Sequence, residues 1–184
     1  MAQISVSLRN AMIGQYETHI AASPRLQYRS GLPPANCAAA RTGTLGAELL
    51  LPADWLTNPS AGSVDKNGTW SVAAAASIIA QHYALMDAAG TTCHEQGFIS
   101  EPWSATKVYI ASQQAHNGGN VYRCTTGGTS AGSGGPSGTG GTIADGTVTW
   151  AFVQAGVDLD VQNTSLNAGQ TATVNTWTRT QGGA

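Results

Sequence analysis

The chain of 184 residues is long enough for one well-packed core, or for one core with a small appendage. Charged residues make up only 10% of it, against roughly 25% in an ordinary soluble domain. The formal net charge of −2, with eight lysines and arginines in all, supplies no positive field for a nucleic acid, so we expect no nucleic-acid partner. The low charge and the many small residues suit a β-rich protein that hides much of its surface in an assembly.

The first residues, "MAQISVSLRN", lack the basic segment and apolar block of a secretory signal. The longest apolar stretch, "SVAAAASIIA", falls well short of the roughly 20 residues that a membrane helix needs. We therefore expect no membrane insertion, and a protein that is made and kept in the cytoplasm unless a larger particle carries it out.

The first predicted element is a helix with an apolar residue at every fourth position along one face: Leu8, Met12, Tyr16 and Ile20. Ser5 or Ser7 can cap its start, and Pro24 ends it. The apolar stripe either covers the chain's own sandwich or packs on a neighbouring subunit. These four residues are therefore our candidates for an assembly interface, and we expect a homo-oligomer.

Short β-strands follow the helix. "RLQYRSG" alternates, with Leu26 and Tyr28 on one face, and "TLGAELLLPADWL" predicts a strand that runs to Leu51. "SIIAQHYALMD" predicts one strand with two partly apolar faces, and a "DAAGT" hairpin loop joins it to the return strand "TTCHEQGFI". "VDLDVQN" and "QTATVNTWTRT" give the last strands, the second around Val174 and Trp177. These elements predict a mainly β fold, a β-sandwich or jelly-roll with an N-terminal helix.

A glycine-rich segment separates two runs that would make a natural hairpin, "TTCHEQGFIS" and "GVDLDVQN". A folded insertion with adjacent ends costs little closure entropy and leaves both strands able to pair. We therefore predict a small β module at residues 101–155, called the insert. It interrupts a discontinuous β-sandwich domain at residues 1–100 and 156–184, called the host domain.

The insert carries more aromatic side chains than a flexible linker or a disordered segment does: Trp103, Tyr109, Tyr122, Trp150 and Phe152. Together with the short β-like runs "NVYRC" and "GTVTWAFV", they predict that the insert is folded. Its Gly/Ser loop, residues 125–142, is expected to stay mobile. Because so small a core is marginal alone, attachment to the host domain at both ends should stabilise it.

Four of these aromatics are candidates for glycan binding: Trp103, Tyr109, Tyr122 and Trp150. An exposed aromatic face can stack on a sugar ring. The alternative is that the same side chains form the insert's own core, which strand alternation favours for Tyr122 and Trp150. Trp103 lies next to Pro102 at the entrance of the insert, and the sequence does not decide between glycan binding and core packing for it.

The remaining motifs give no reason to expect an enzyme or a cofactor. Most acids lie at turns or on outer strand positions, and Asp158 and Asp160, two apart on one strand, are typical of a solvated pair. "GGTSAGSGGPSGTGG" lacks the Lys-Ser/Thr that follows in a phosphate-binding loop, and a strand and a helix do not flank it.

The cysteines Cys37, Cys93 and Cys124 are too few and too scattered for a disulfide framework, and we predict that they are reduced and buried. Cys93 and His94 are adjacent, so on a regular strand they point to opposite faces and cannot share a metal ion without a bulge. We expect no metal site. Whether Cys37 and Cys93 meet across the sandwich and oxidise stays open.

The insert resembles a known module. Trp103, Tyr109, "GGNVYRCTT", a Gly/Ser/Pro/Thr loop and "DGTVTWAFV" follow one another as in a small module of bacteriophage tail-fibre and other virion proteins. That module is distantly similar to the chitin-binding type of carbohydrate-binding domain. The resemblance covers most of the insert and implies a part of a virus particle that can bind sugar.

The host domain resembles a second group. "LRNAMIGQYETHIAASPRLQYRSG", "DAAGTTCHEQG" and "NTSLNAGQTATVNTWT" are similar to small structural proteins of tailed phages and prophages, which begin with one helix and continue as short β-strands. The resemblance extends across nearly the whole host domain. It implies a component of the virion, which is assembled in the cytoplasm of a bacterial cell.

Two functions are compatible with these resemblances. In the first, the chain is a non-enzymatic virion structural protein, an exterior decoration or accessory protein of the capsid, held among other virion proteins with the insert projecting. In the second, it is a tail or tail-fibre accessory protein whose insert binds bacterial surface glycan. Since the chain has no internal repeat of the kind that a long fibre shaft needs, we prefer the first.

Overall fold

The computed structural model describes residues 3–182. Residues 1, 2, 183 and 184, which the predicted host domain includes, lie outside the described part. Strands hold 43% of the residues and helix 8%, so the predicted mainly β fold with an N-terminal helix is confirmed.

The helix is α1, Val6–Ile20. The strands before the insert are β1 Arg25–Arg29, β2 Leu45–Leu50, β3 Ser63–Asp65, β4 Ser71–Ala73, β5 Ile78–Ile79, β6 His82–Met86 and β7 Cys93–Pro102. Those of the insert are β8 Val108–Tyr109, β9 Gln114–Asn117, β10 Asn120–Thr126, β11 Gly128–Thr129, β12 Ile143–Asp145 and β13 Val148–Ala155. The last ones are β14 Leu159–Val161, β15 Ser165–Leu166, β16 Thr171–Thr176 and β17 Thr178–Thr180.

Helix α1 starts as predicted, because the Ser5 hydroxyl accepts a hydrogen bond of 3.2 Å from the Leu8 amide. The four residues of the predicted apolar stripe divide between the core and the surface. Tyr16 and Ile20 pack on the core, but Leu8 and Met12 are 49% and 46% exposed. Four residues overshoot one turn by about 40°, so a stripe of fourth residues drifts by about 120° from Leu8 to Ile20.

The host sheet is ordered β2-β1-β6-β7-β14-β16-β4. All its pairs are antiparallel except β7 with β14, where Leu159 lies opposite Ile99. The amides of Ala75 and Ala76, just after β4, donate to the Gly46 carbonyl in β2 at 2.7 and 3.2 Å. The two ends of the sheet therefore meet, and the sheet folds over on itself around the core. This arrangement is consistent with a β-sandwich.

The predicted hairpin loop "DAAGT" joins β6 to β7. The strand predicted before it is in fact two strands: β5 pairs with β15, whereas β6 pairs with β1 and β7. In β7 the register shifts, with Leu85 opposite Glu95 and Met86 opposite Cys93, so His94 has no partner on β6. The strand is therefore bulged at the position where the alternation argument assumed a regular strand, and the bulge places Cys93 and Glu95 on opposite faces.

The host core contains three buried tryptophans, Trp55, Trp70 and Trp177. Their ring centroids lie 5.7 to 6.0 Å apart, and Tyr16 of α1 packs at 5.9 Å from Trp55 and 5.7 Å from Trp177. Trp177 falls between β16 and β17, so the segment predicted as one last strand is divided in two at this residue. The aromatic cluster thus fixes the helix and the chain's last strands on the same core.

The strands of the insert branch from the same sheet at β7, in the order β12-β13-β10-β9-β7. Its link to the host domain is the end of β7, where Glu101 and Pro102 pair in parallel with Ala115 and His116 of β9. The predicted boundary at residue 101 thus lies inside a continuous strand. The insert has its own cluster of buried side chains: Tyr109, Ala115, Tyr122, Cys124, Val148 and Trp150.

Candidate functional site

Three of the four glycan-binding candidates lie in the core of the insert. Tyr109 and Trp150 are 0% exposed and Tyr122 is 1% exposed. The rings of Tyr109 and Trp150 pack edge to face, with centroids 4.8 Å apart. None of these three offers a face to a sugar in this structure, so their packing matches the core alternative.

Trp103 is half-buried and is held by the carboxylate of Asp145. The Nε1 of Trp103 and the Nε1 of Trp150 donate to the same Asp145 Oδ2, at 2.7 and 2.9 Å. The amide of Ala131 donates to the other oxygen at 2.9 Å. Three donors therefore satisfy a carboxylate that is only 5% exposed.

Asp145 was not among the candidate residues singled out from the sequence. One signal could have found it: Asp145 and Arg123 are the only charged residues between 118 and 150, and Asp145 stands five residues before Trp150. A carboxylate in so apolar a segment needs donors, and an indole N–H is one.

The Gly/Ser loop, predicted to be mobile, is tied to the sheet. It contains strand β11, which pairs with β8. The Asn117 amide nitrogen donates to the carbonyls of Gly134 and Pro136 at 2.8 and 3.1 Å. Gly135 has a φ of +72°, and a Cβ there would come within 2.9 Å of the Trp103 ring. Glycine is required at this position because the loop backbone packs directly on Trp103.

The joint between the insert and the host domain contains an ion pair whose carboxylate is buried and whose lysine is partly exposed. Glu101 is 0% exposed. One of its oxygens accepts from Lys107 Nζ of the insert at 2.6 Å, and the other accepts from the amide of Thr164, after β14, at 2.8 Å. Lys107 Nζ also lies 5.1 Å from the centroid of the Tyr109 ring. One carboxylate thereby fixes the insert against the host domain.

Two further contacts cross or border this joint. The buried Gln114 of β9 donates from Nε2 to the Gln81 carbonyl at 2.5 Å. Ser100 Oγ and His116 Nδ1 are 3.0 Å apart. Burial lowers the pKa of His116, and the negative charges of Asp160 and Glu101 oppose this only in part. A neutral imidazole therefore lies at the joint at physiological pH.

A second polar network lies inside the host domain around Glu95. Its carboxylate accepts from the hydroxyls of Tyr16 and Tyr83 and from the guanidinium of Arg179. Burial raises the pKa of Glu95, but hydrogen bonds and charge from Arg179 outweigh it, so the pKa is lowered. Burial raises the pKa of both tyrosines, so they stay protonated donors. The network joins α1, β6, β7 and β17.

The acids considered for catalysis are used in strand contacts. Asp158 Oδ2 accepts from the Phe98 amide at 3.0 Å. Asp160 accepts from the Asn175 side chain at 3.0 Å and from the Thr176 hydroxyl at 3.1 Å. Both carboxylates therefore hold β14 against its neighbours.

The three cysteines are free thiols. Cys124 is buried in the core of the insert, as predicted, whereas Cys37 and Cys93 are only half-buried. The prediction of full burial was wrong for these two because segment 30–44, which carries Cys37, covers the outer face of the β6–β7 hairpin instead of entering the core. Within residues 3–182, no group of three or more His, Cys, Asp or Glu side chains is placed to hold a metal ion.

Exposed apolar side chains lie on both parts of the chain. On α1 these include Leu8 and Met12, and in the insert Val108 and Ile110. Ile110 borders an open cleft of about 310 Å³, which is lined from the host domain by residues of β5 and β15.

No family model matches the chain, and neither a curated protein nor a solved structure matches it. In the part of the chain described by the structure, no helix is both long and apolar enough to cross a membrane.

Proposed function

We propose that the chain is a non-enzymatic structural protein of a bacteriophage virion, an exterior decoration or accessory protein of the capsid. The host domain is the mount, and the insert is the part presented outward. The observation that carries this proposal is the joint at Glu101, because a buried carboxylate bonded to both parts holds the insert in one orientation. A module on a flexible tether has no need of such a contact.

The exposed side chains support assembly through the host domain. Leu8 and Met12 stand one turn apart on α1, outside the core that Ile13, Tyr16 and Ile20 enter. The proposed homo-oligomer, or the proposed contact with another virion protein, uses this face of the helix. The low content of charged residues is consistent with a surface of which part is covered in the particle.

The second candidate is a tail or tail-fibre accessory protein whose insert binds bacterial surface glycan. The observation that favours it is Trp103, which alone among the four aromatic candidates keeps part of its surface exposed. In this function the Trp103 edge and the loop over it form the contact with sugar.

The test is electron cryo-microscopy of intact particles released by cells that encode this chain. The capsid proposal expects the helix, sandwich and protruding insert at regular lattice points of the head. Density only at the tail tip or fibres would replace it with the glycan-binding candidate, and glycan-array binding that Trp103→Ala abolishes would then support that candidate. Absence of the chain from purified particles, measured by mass spectrometry, would overturn both.

A further inference from the structure

Segment 30–44, which connects β1 to β2, lies over the outer face of the β6–β7 hairpin. Gln96 of β7 donates from Nε2 to the Pro34 carbonyl at 2.5 Å and accepts from Arg41 Nη1 at 3.1 Å. At its start, the Gly31 amide donates to the Gln81 side chain at 2.7 Å. The segment is therefore held against the hairpin at several points.

These contacts bring two cysteines together. Arg41, which binds Gln96, also donates from Nη2 to the carbonyl of Cys37 at 2.7 Å. Cys93 lies opposite Met86 and Gln96 opposite Ala84, so the bulge puts Cys93 on the same outer face as Gln96. Cys93 therefore faces the segment that carries Cys37, and the Cys37 thiol is near enough to raise the pKa of Cys93. Both residues are half-buried, so a small oxidant can reach them.

We propose that Cys37 and Cys93 are a disulfide-forming pair, reduced where the protein is made and oxidised when it meets a thiol oxidant such as glutathione disulfide. The bond covalently fixes segment 30–44 to β7. Cys124, buried in the core of the insert, remains a thiol. This proposal stands independently of the proposed virion function.

The exchange needs one molecule of glutathione disulfide. The thiolate of one cysteine attacks a sulfur of the oxidant, forming a mixed disulfide and releasing one glutathione thiolate. The thiolate of the second cysteine then displaces the second glutathione and forms the Cys37–Cys93 bond. The protein loses two electrons and its two thiol protons, and the oxidant becomes two glutathione molecules.

The environment of Cys93 slows the step in which this thiol attacks. Burial, followed by the neighbouring Cys37 thiol, raises the pKa of Cys93 to about 12, and the charge of Arg41 lowers it only in part. The Cys93 thiolate is therefore scarce at neutral pH, and Cys93 is a slow attacking thiol there.

The test incubates the full, folded chain with glutathione disulfide and stops the exchange with acid. The protein is then unfolded and alkylated, and its mass is measured by mass spectrometry. The expected product has lost two hydrogens, a mass decrease of about 2 Da, and carries one alkylatable thiol. Peptide mapping should join Cys37 to Cys93. Cys124→Ser should form the same bond, and Cys37→Ser should not. Three alkylatable thiols after equilibration, a lasting glutathione adduct on either cysteine or a bond to Cys124 would overturn the proposal.

A second measurement separates a preformed pair from two thiols that meet by chance. The equilibrium constant for oxidation should be at least about tenfold larger in the folded chain than in concentrated urea, because the fold holds segment 30–44 against β7. Oxidation should also raise the midpoint of thermal unfolding by roughly 5–15 °C. Equal constants in buffer and urea, or a lower midpoint, would show that the native geometry opposes the bond.

Discussion

The host domain and the insert are stabilised in different ways. The host core packs three tryptophans and three tyrosines among many buried aliphatic side chains. The core of the insert has only six buried members, and it is completed by carboxylates, Asp145 inside it and Glu101 at its base. A module too small to be held by apolar burial alone gains stability from buried groups that each satisfy several donors.

The largest expected effect is in the host core. Trp55→Ala removes a ring that packs on Trp70 and Trp177, as well as the Nε1 bond of 3.2 Å to the Ala21 carbonyl. It should lower the free energy of unfolding by about 3–5 kcal/mol, measured by urea denaturation. Leu50→Ala, at a side chain that is 66% exposed, is the control and should stay within about 0.5 kcal/mol. Equal costs at the two positions would contradict the packing described for the aromatic cluster.

The next largest effect should come from one carboxylate of the insert. Asp145→Ala leaves the indole N–H groups of Trp103 and Trp150 without their acceptor, and we expect a loss of about 2–4 kcal/mol. Hydrogen exchange should show faster exchange in β10, β12 and β13 than in β1 and β6. The control is Asp54→Ala, an exposed carboxylate of the host domain. If exchange rises equally in both regions, the insert does not depend on Asp145 in the way described.

Removing one partner of the ion pair at the joint should cost more stability than removing the other. Lys107→Met leaves the buried carboxylate of Glu101 without its counter-charge, and should cost about 1–3 kcal/mol after allowance for the partly exposed lysine. Glu101→Gln keeps an acceptor for the Thr164 amide and leaves Lys107 free to reach water, so it should cost less. Urea denaturation of both variants measures the difference. A larger cost for Glu101→Gln would mean that the ion pair itself, and not the uncompensated charge, dominates.

A smaller loss of stability is expected when acid protonates Glu95 in the host domain. The folded-state pKa of Glu95 lies below its ordinary value of 4.5. Its contribution to stability is therefore fully present above about pH 4.5 and is lost as the pH falls through the lower folded-state pKa. Urea midpoints between neutral pH and about pH 2.5 should fall with acid. Glu95→Gln should flatten this dependence, and an unchanged slope in the variant would assign it to other carboxylates.

The sequence predicted the general fold because its signals are local. Ser5 capping α1, the hairpin loop before Cys93 and the aromatic set of the insert depend on nearby residues and are present in the structure. Which strands pair with one another does not depend on nearby residues alone. The stretch 78–86 reads as one strand by its apolar pattern, yet it divides between β15 on one side and β1 and β7 on the other.

The candidate site shows the same limit. Burial of Tyr122 and Trp150 follows from strand alternation, whereas the bulge at His94 comes from a one-residue mismatch between β6 and β7 that periodicity does not reveal. The polar contacts of Asp145 and Glu101 join residues far apart in the chain. The Gly/Ser loop was expected to be mobile from its composition, and its contacts with Asn117 and Trp103 could not be predicted from composition alone.

The smallest effect on stability, and the most direct test of which region mediates assembly, is expected from exposed side chains. The double variant Leu8→Gln, Met12→Gln keeps helix propensity, and its matched control Val108→Thr, Ile110→Thr keeps strand propensity. Each should change the free energy of unfolding by less than about 1 kcal/mol, since all four side chains are exposed. If the host domain is the mount, only the helix variant should lose oligomers in light scattering after size-exclusion chromatography. Loss of oligomers in the insert variant alone would place the contact between copies on β8 and its cleft, and would leave the helix face for a different partner.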